Sequence, residues 1–284
     1  MNNYFEGWYF KHQNENTMLA LIPGKSDDNA FIQVITNDTA YNVEYPLSKH
    51  ENKNPVKIAG NIFDTNGIEL NIHSKDIELT GKLSYKKLTP IKNDIMGPFR
   101  YFPMECRHSV VSMNHSLYGK LYLNGREIDF NNGTGYIEGD RGTSFPESYT
   151  WVQCNSFDEE CSVMISVAKI PFAGFKFRGC ISVVWYKNKE YRLATYRGVK
   201  VLCCSENKLE LKQGKYHLIV EIPKYSGHAL NAPNKGKMSR TIHESPLCNA
   251  RFRFHVDKDV YKRQVFHCTT RPKSIKRCSF IYSR

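Results

Sequence analysis

Ile68-Glu69-Leu70-Asn71-Ile72-His73 alternates apolar and polar residues without a break, and Ile77, Leu79, Leu83 and Tyr85 carry one face through the next segment. A period of two puts successive side chains on opposite faces of a strand, one for a core and one for water. The pattern returns at Val163, Ile165 and Val167, and again in Arg251-Phe252-Arg253-Phe254-His255-Val256. Between the runs stand Thr65-Asn66-Gly67, Asn124-Gly125, Lys187-Asn188-Lys189 and Gln213-Gly214. Asn and Gly tolerate the positive φ that tight hairpins need, so these read as turns. No stretch sustains a helical period. Many short strands with turns between them predict an all-β protein built as a sandwich or barrel.

Two halves can be drawn. The first runs from Tyr4 to about Glu138 and the second from near Ser148 to at least Val256, with Gly139-Asp140-Arg141-Gly142-Thr143-Ser144-Phe145-Pro146 connecting them. The predicted domains are therefore 1–140 and 141–258. Each half suits an up-and-down barrel of about eight strands, a size that holds one small ligand. Closure would also remove the exposed edges that open sheets carry. The remaining segment, 259–284, is expected to be a non-native or disordered tail. Its opening, Asp259-Val260-Tyr261-Lys262-Arg263-Gln264, reads as a translated transposon-end sequencing adapter, and residues 265–284 alternate only weakly. On that reading the second barrel is incomplete at its C-terminal end; the competing reading is a basic native tail.

The net charge of +12 invites a nucleic-acid partner, and its distribution argues against one. From Asp259 onward, Lys262, Arg263, Arg271, Lys273, Lys276, Arg277 and Arg284 face a single acidic residue, which places half of the net charge in the tail. The mildly basic body lacks the electrostatic footprint that a phosphate backbone demands. No apolar run approaches the ~18 residues of a membrane-spanning helix. The N-terminus has no charged segment leading into an apolar one, so a cytoplasmic setting is the expectation. None of the nine cysteines forms a C-x-x-C pair, and no metal site or cofactor motif is evident. Small buried thiols in a reducing compartment account for them. A nucleophilic Cys106 or Cys154 is the sharper alternative and would need an activating base.

Three segments carry a resemblance to a known family. The central one is GYIEGDRGTSFPESYTWVQCNSF, Gly135 to Phe157. It resembles the tocopherol cyclase pattern: an acidic residue, a short Gly-bearing loop, Phe-Pro, then an aromatic strand ending Trp-Val-Gln-Cys-Asn-x-Phe, here Trp151 to Phe157. The others are Phe5-Glu6-Gly7-Trp8-Tyr9-Phe10-Lys11 and the stretch from Ala232-Pro233 through Gly236, Met238, Arg240 and Ile242 to Glu244-Ser245. The resemblance implies two tandem lipocalin-like, calycin-type antiparallel β-barrels and a hydrophobic, prenylated or lipid-like small-molecule partner. For plant and cyanobacterial members it also implies closure of a chromanol ring on a prenylated quinol, the work of an intramolecular lyase of the isomerase class. A non-catalytic, lipocalin-like carrier is the alternative. In the plant members the Glu is followed by Lys, Asn and Trp before the Gly. Here Glu138 is followed by Gly139, Asp140 and Arg141, which exchanges an aromatic residue for a charge pair.

Ring closure of this kind needs a proton delivered to an alkene, a phenol oxygen beside the resulting cation, and neither metal nor redox cofactor. Glu138 and Asp140 are the leading acids: two apart on a strand, they face one side, and like charges held close disfavour double ionisation. Asp140 also fits a structural role, bonding backbone in the connection. Glu105 is the third candidate acid. It shares a face with Arg107, where a salt bridge would keep it ionised, while Cys106 and His108 share the other face. His108 could shuttle a proton or simply hold a hydrogen bond. Trp151, Tyr149 and Trp185 are candidate ligand-contacting rings, with core packing as the alternative. Arg107 and Arg141 complete the expected ligand-binding set, and Trp8 reads as structural.

Overall fold

The computed structural model describes residues 3–52, 55–172, 174–222, 226–258, 262–268 and 278–283. Among these there is no α-helix, only strands and short 3-10 turns. No helix is long and apolar enough to cross a membrane. The chain divides into two compact units made of interleaved segments. The first holds Met1–Ile91, Glu105–Phe145 and His228–Thr241; the second holds Lys92–Met104, Pro146–Gly227 and Ile242–Arg284. Neither unit is one continuous stretch.

The first unit is formed by β1 (Phe5–Gln13), β2 (Met18–Lys25), β3 (Ala30–Ile35), β4 (Ala40–Tyr45), β5 (His50–Asn52), β6 (Val56–Ile58), β7 (Asn61–Asp64), β8 (Gly67–His73), β9 (Glu78–Tyr85), β10 (Cys106–Leu123), β11 (Arg126–Asp129) and β12 (Thr134–Gly142). They pair in the order β4-β3-β2-β1-β12-β10-β9-β8-β7-β6-β5, with β11 beside β10. Phe10, Leu19, Ile32, Val43, Ile58, Phe63, Leu70, Leu79, Leu121 and Ile137, drawn from strands along this path, meet in one buried apolar cluster. The sheet therefore curls around a single core, as period-two alternation requires when one face is apolar. Gly81 and Gly119 make the close approach between β9 and β10 possible: a Cβ on either would lie 2.6 or 2.3 Å from a carbonyl oxygen of the neighbouring strand. The expectation of a closed barrel is corrected here. The ladder has two ends, β4 and β5, and among the described residues no pairing joins them. Packing of side chains around the core does not require the hydrogen-bond ring to close.

The second unit uses β13 (Tyr149–Cys154), β14 (Cys161–Phe172), β15 (Phe175–Tyr186), β16 (Lys189–Ala194), β17 (Lys200–Cys204), β18 (Lys208–Gln213) and β19 (Tyr216–Glu221). The hairpin of β20 (His228–Asn234) and β21 (Lys237–Cys248) begins in the first unit, and β21 runs on into the second. There β22 (Arg251–Lys258), β23 (Lys262–Cys268) and β24 (Cys278–Ser283) complete the strands. One sheet runs β16-β15-β14-β13-β24-β21 and another β17-β18-β19-β22-β23. Val152, Ile165, Val184 and Phe280 of the former pack with Leu211, Leu218, Phe252 and Phe254 of the latter in one core. This unit too is open, two sheets rather than one closed ring. Of the expected tail, 259–261, 269–277 and 284 lie outside the described residues, while β24 pairs with β13 on one side and β21 on the other.

Lys92–Met104 is tied into the second unit by Arg192. Its guanidinium donates to the carbonyls of Asn93 and Asp94, both at 2.8 Å, and pairs with Glu190 at 2.7 Å. The side chains of Arg192 and Glu190 are only 2% and 7% exposed, so each charge depends on the other.

Candidate functional site

In the first unit β12 lies between β1 and β10, and the register of these strands assembles a polar group. Glu138 stands opposite Tyr9 on β1 and Val110 on β10, and Asp140 opposite Gly7 and His108. Directly opposed residues share a face, and so do residues two apart. Tyr136, Glu138, Asp140, Tyr9, Lys11, Cys106 and His108 therefore lie together, while Phe10 and Ile137 turn the other way into the apolar core. Although this face is turned away from that core, Tyr136 and Lys11 are fully buried and Glu138 is 5% exposed.

His108 sits between the two carboxyl groups. Its Nδ1 is 3.0 Å from Asp140 Oδ1 in a hydrogen bond. Its Nε2 is 3.3 Å from Glu138 Oε2, within ion-pair reach but off line for a hydrogen bond. The Tyr136 hydroxyl donates to the same Glu138 oxygen at 2.5 Å, and the Cys106 thiol to Asp140 Oδ1 at 3.4 Å. Burial alone would strip the proton from His108, but the two carboxyl groups outweigh it and hold its pKa well above the ordinary imidazole value. His108 is thus an imidazolium at neutral pH, more an anchor of charge than a shuttle. Burial, reinforced by Glu138, pushes the Tyr136 phenol well above its usual range. Burial and then Asp140 do the same for the Cys106 thiol, which removes the thiolate that a nucleophilic Cys106 would need.

His108, Glu138 and Asp140 can each present a ligand atom within 4.8 Å of the others, the one such grouping among the described residues. A cation there would face a conflict, because each carboxyl group meets a different ring nitrogen and a histidine offers a metal only one. The arrangement supplies its own cation, because His108 already lies within ion-pair reach of both carboxyl groups.

Gly139 separates the two acids for a physical reason. Trp8 lies opposite it in the ladder, and a Cβ at Gly139 would fall 2.6 Å from the indole ring. Trp8 packs against the apolar core, in agreement with its structural reading. Glu105, Arg107 and Arg141 have exposed side chains, and Glu105 meets the connection through its backbone carbonyl, which accepts the Thr143 N–H at 2.8 Å. Of the residues expected from sequence, Glu138, Asp140 and His108 are brought together, and Glu105, Arg107 and Arg141 stand outside the group. Tyr149, Trp151 and Trp185 belong to the second unit. There they lie on the sheet face opposite Val152, Cys154 and Val184, which line that unit's core. Tyr149 and Trp151 are buried at 8% and 5% exposure.

Sequence reading missed Tyr136, Tyr9 and Lys11. Alternation alone could have found Tyr136, two residues before Glu138; Tyr9 and Lys11 needed the β1–β12 register. It also missed a second polar cluster on the core side of the first unit. His12 Nε2 and the Tyr85 hydroxyl are 2.6 Å apart, the Tyr85 and His115 rings are 4.5 Å apart, and His115 Nδ1 is 3.1 Å from the Ser112 hydroxyl. Burial pushes His12 down to about 3 and His115 to about 4, so both rings are neutral in the fold.

Comparison with solved structures places the fold. The chain is similar to an AttH protein from Nitrosomonas europaea, with 12% identity, a TM-score of 0.56, and coverage of 98% of this chain and 92% of that one. It is similar to kievitone hydratase from Nectria haematococca, with 12% identity, a TM-score of 0.60, and coverage of 99% and 88%. It also resembles CghA solved with Sch210972, at 8% identity and a TM-score of 0.59, again covering 99% and 88%. At such identities the likeness establishes shared architecture. No curated protein matches the sequence. Residues 55–244, about two thirds of the chain, match the pattern described as tocopherol cyclase-like, and they include β12 with its two acids and the aromatic strand β13. The chain belongs to the tocopherol cyclase-like family.

Proposed function

We propose that the chain binds a hydrophobic, prenylated or lipid-like small molecule and closes a ring on it by proton transfer from the Tyr136–Glu138–His108–Asp140 group. The observation that carries this reading is the buried His108 ring held between the carboxyl groups of Glu138 and Asp140, at 3.3 and 3.0 Å. On this reading Glu138 alternates between a protonated, neutral state and a carboxylate, with His108, Asp140 and the buried Lys11 on the same face around it. A buried site tolerates both states better than it would two uncompensated carboxylates. The neutral state is a proton donor beside an alkene. The anionic state faces the carbocation that forms, and it can accept the phenol proton as the C–O bond closes. Glu138 moves the proton, Tyr136 and His108 hold Glu138 in place, and Asp140 holds His108. A positioned acid contributes typically 10²–10⁴-fold, and orientation of the phenol oxygen adds to that.

Family membership supports the reading, as do the names of two similar structures, a hydratase of kievitone and a protein solved with Sch210972. On the same reading each unit serves as a lipocalin-type scaffold. Cys106, Cys154, Cys161, Cys180, Cys203, Cys204 and Cys248 carry thiols rather than disulfides, which suits a reducing, cytoplasmic setting. The test is incubation of the full chain with a prenylated hydroquinone and detection of chromanol. Glu138→Gln should abolish turnover and leave ligand binding within a few fold. Tyr136→Phe, which keeps the ring, should lower kcat more than it raises KM. Saturable binding without turnover would make the chain a carrier, and turnover unchanged in Glu138→Gln would remove Glu138 from the mechanism.

A further inference from the structure

The second unit carries an aromatic surface that the proposed chemistry does not use. At the end of the β14–β15 hairpin the register pairs Lys169 with Arg178, Ile170 with Phe177, Pro171 with Lys176 and Phe172 with Phe175. Alternation puts Ile170, Phe172, Phe175 and Phe177 on one face and Lys169, Lys176 and Arg178 on the other. The 3-10 turn Gly97–Tyr101 and its neighbour Phe102 extend the apolar face. Phe99 stacks on Phe177 at 5.9 Å between ring centres, and Phe102 meets Phe172 edge-on at 5.5 Å. Despite this packing the rim stays open to solvent: Tyr101 is 73% exposed, Phe175 57% and Phe102 42%. Solvent-facing rings gathered in one place are a mark of an interaction surface.

Charge and backbone indicate the partner. Lys169, Lys176, Arg178 and Arg100 border the rings, and Glu147 is the acid beside them, 3.2 Å from Lys169 and 2.7 Å from Lys176. Long cationic side chains on one face of a hairpin and rings on the other match the layering of a bilayer interface, with rings at the acyl boundary and amines among the headgroups. Bare N–H groups are costly near hydrocarbon, and here the ladder stays paired out to Phe172 and Phe175. We propose that this hairpin end, together with residues 99–102, docks the chain on an anionic lipid bilayer. The surface belongs to the second unit and the carboxyl groups around His108 to the first, so docking and ring closure rest on different residues and can fail independently.

The experiment is co-sedimentation of the full chain with vesicles of phosphatidylcholine alone and of phosphatidylcholine mixed with phosphatidylglycerol. Binding to the mixed vesicles, weakening as salt is raised, is the expected result. Phe175→Ser should lower partitioning about tenfold, from the apolar area lost. Lys176→Glu and Arg178→Glu should each lower it by about fivefold or more, since one cation near an anionic surface is worth about that factor. Tyr122→Ser removes an exposed ring on β10 of the first unit and should change nothing. The proposal is overturned if the chain ignores both vesicle types, if it binds both equally, or if Phe175→Ser binds like the parent. It is also overturned if the surface instead drives self-association, seen as a concentration-dependent dimer that Phe175→Ser abolishes and vesicles do not disperse.

Discussion

Acidification should unfold the first unit through His12 and His115. In the fold both imidazoles are neutral, with pKa values of about 3 and about 4, and in the unfolded chain they return to the ordinary 6.5. Between those limits the unfolded chain binds protons that the fold refuses, so stability falls as pH drops below 6.5. One pKa unit corresponds to about 1.4 kcal/mol, so lowering the pH to about 4.5 costs on the order of 5 kcal/mol for the two rings together. That approaches the whole stability of an ordinary domain. Urea unfolding at a series of pH values measures it. Trp8 is the tryptophan of the first unit, and replacing Trp151 and Trp185 by Phe leaves it as the reporter of that transition. Carboxyl groups add an acid limb of their own, so the informative comparison is with His12→Gln/His115→Gln. The double variant should lose about 5 kcal/mol less than its parent over the same pH range. Equal losses would show that the two rings do not titrate as their burial dictates.

His108 works in the opposite sense, because its folded pKa is raised. Its contribution is complete below 6.5 and is lost as pH rises through the folded value. Asp140→Asn should move the His108 titration, followed by imidazole NMR, to lower pH and cost about 1.5–3 kcal/mol near pH 6 through the lost charged hydrogen bond; an unmoved titration would rule Asp140 out as its cause. Cys106 should resist a disulfide reagent in the native chain at neutral pH and react once unfolded, and native labelling at the rate of a free thiol would contradict the burial of its sulfur. Arg192→Met should destabilise the second unit by about 3–5 kcal/mol by stranding Glu190, measured from the urea transition of Trp151 and Trp185; a cost near zero would show that the pair is dispensable.

The fold was legible where strands keep one face wet. Ile68–His73 lies within β8 and Arg251–Val256 within β22, both with the predicted alternation. The turn signals hold as well: Asn124 and Gly125, and Lys187 and Asn188, take the positive φ values of hairpin turns. Strands buried on both faces hide their partners. β3 and β13 are buried at every position, so their sequences do not say which side meets which neighbour. The open ladder and the division of each unit into separate segments follow from such pairings and left no local signal. At the site, the spacing of Glu138 and Asp140 placed them on one face, and His108 on the face opposite Arg107. What spacing could not supply was the β10–β12 register that sets His108 against Asp140, or the β1 register that brings Tyr9 and Lys11 alongside.

The interleaving of the two units bears on how the chain is made. When residue 145 leaves the ribosome, every strand from β1 to β12 exists, yet the first unit still lacks His228–Thr241, where Asn231 trades two backbone hydrogen bonds with the Gln33 side chain. The second unit in turn waits for β24 to fill the place between β13 and β21. Vectorial synthesis therefore does not finish one unit before starting the next, as it does for domains strung end to end. The first must hold an unfinished sheet while residues 146–227 of the second are added, and the second while residues 228–241 of the first are added. Such long-range closure is slow. During that interval the exposed strand edges are where misassociation would begin.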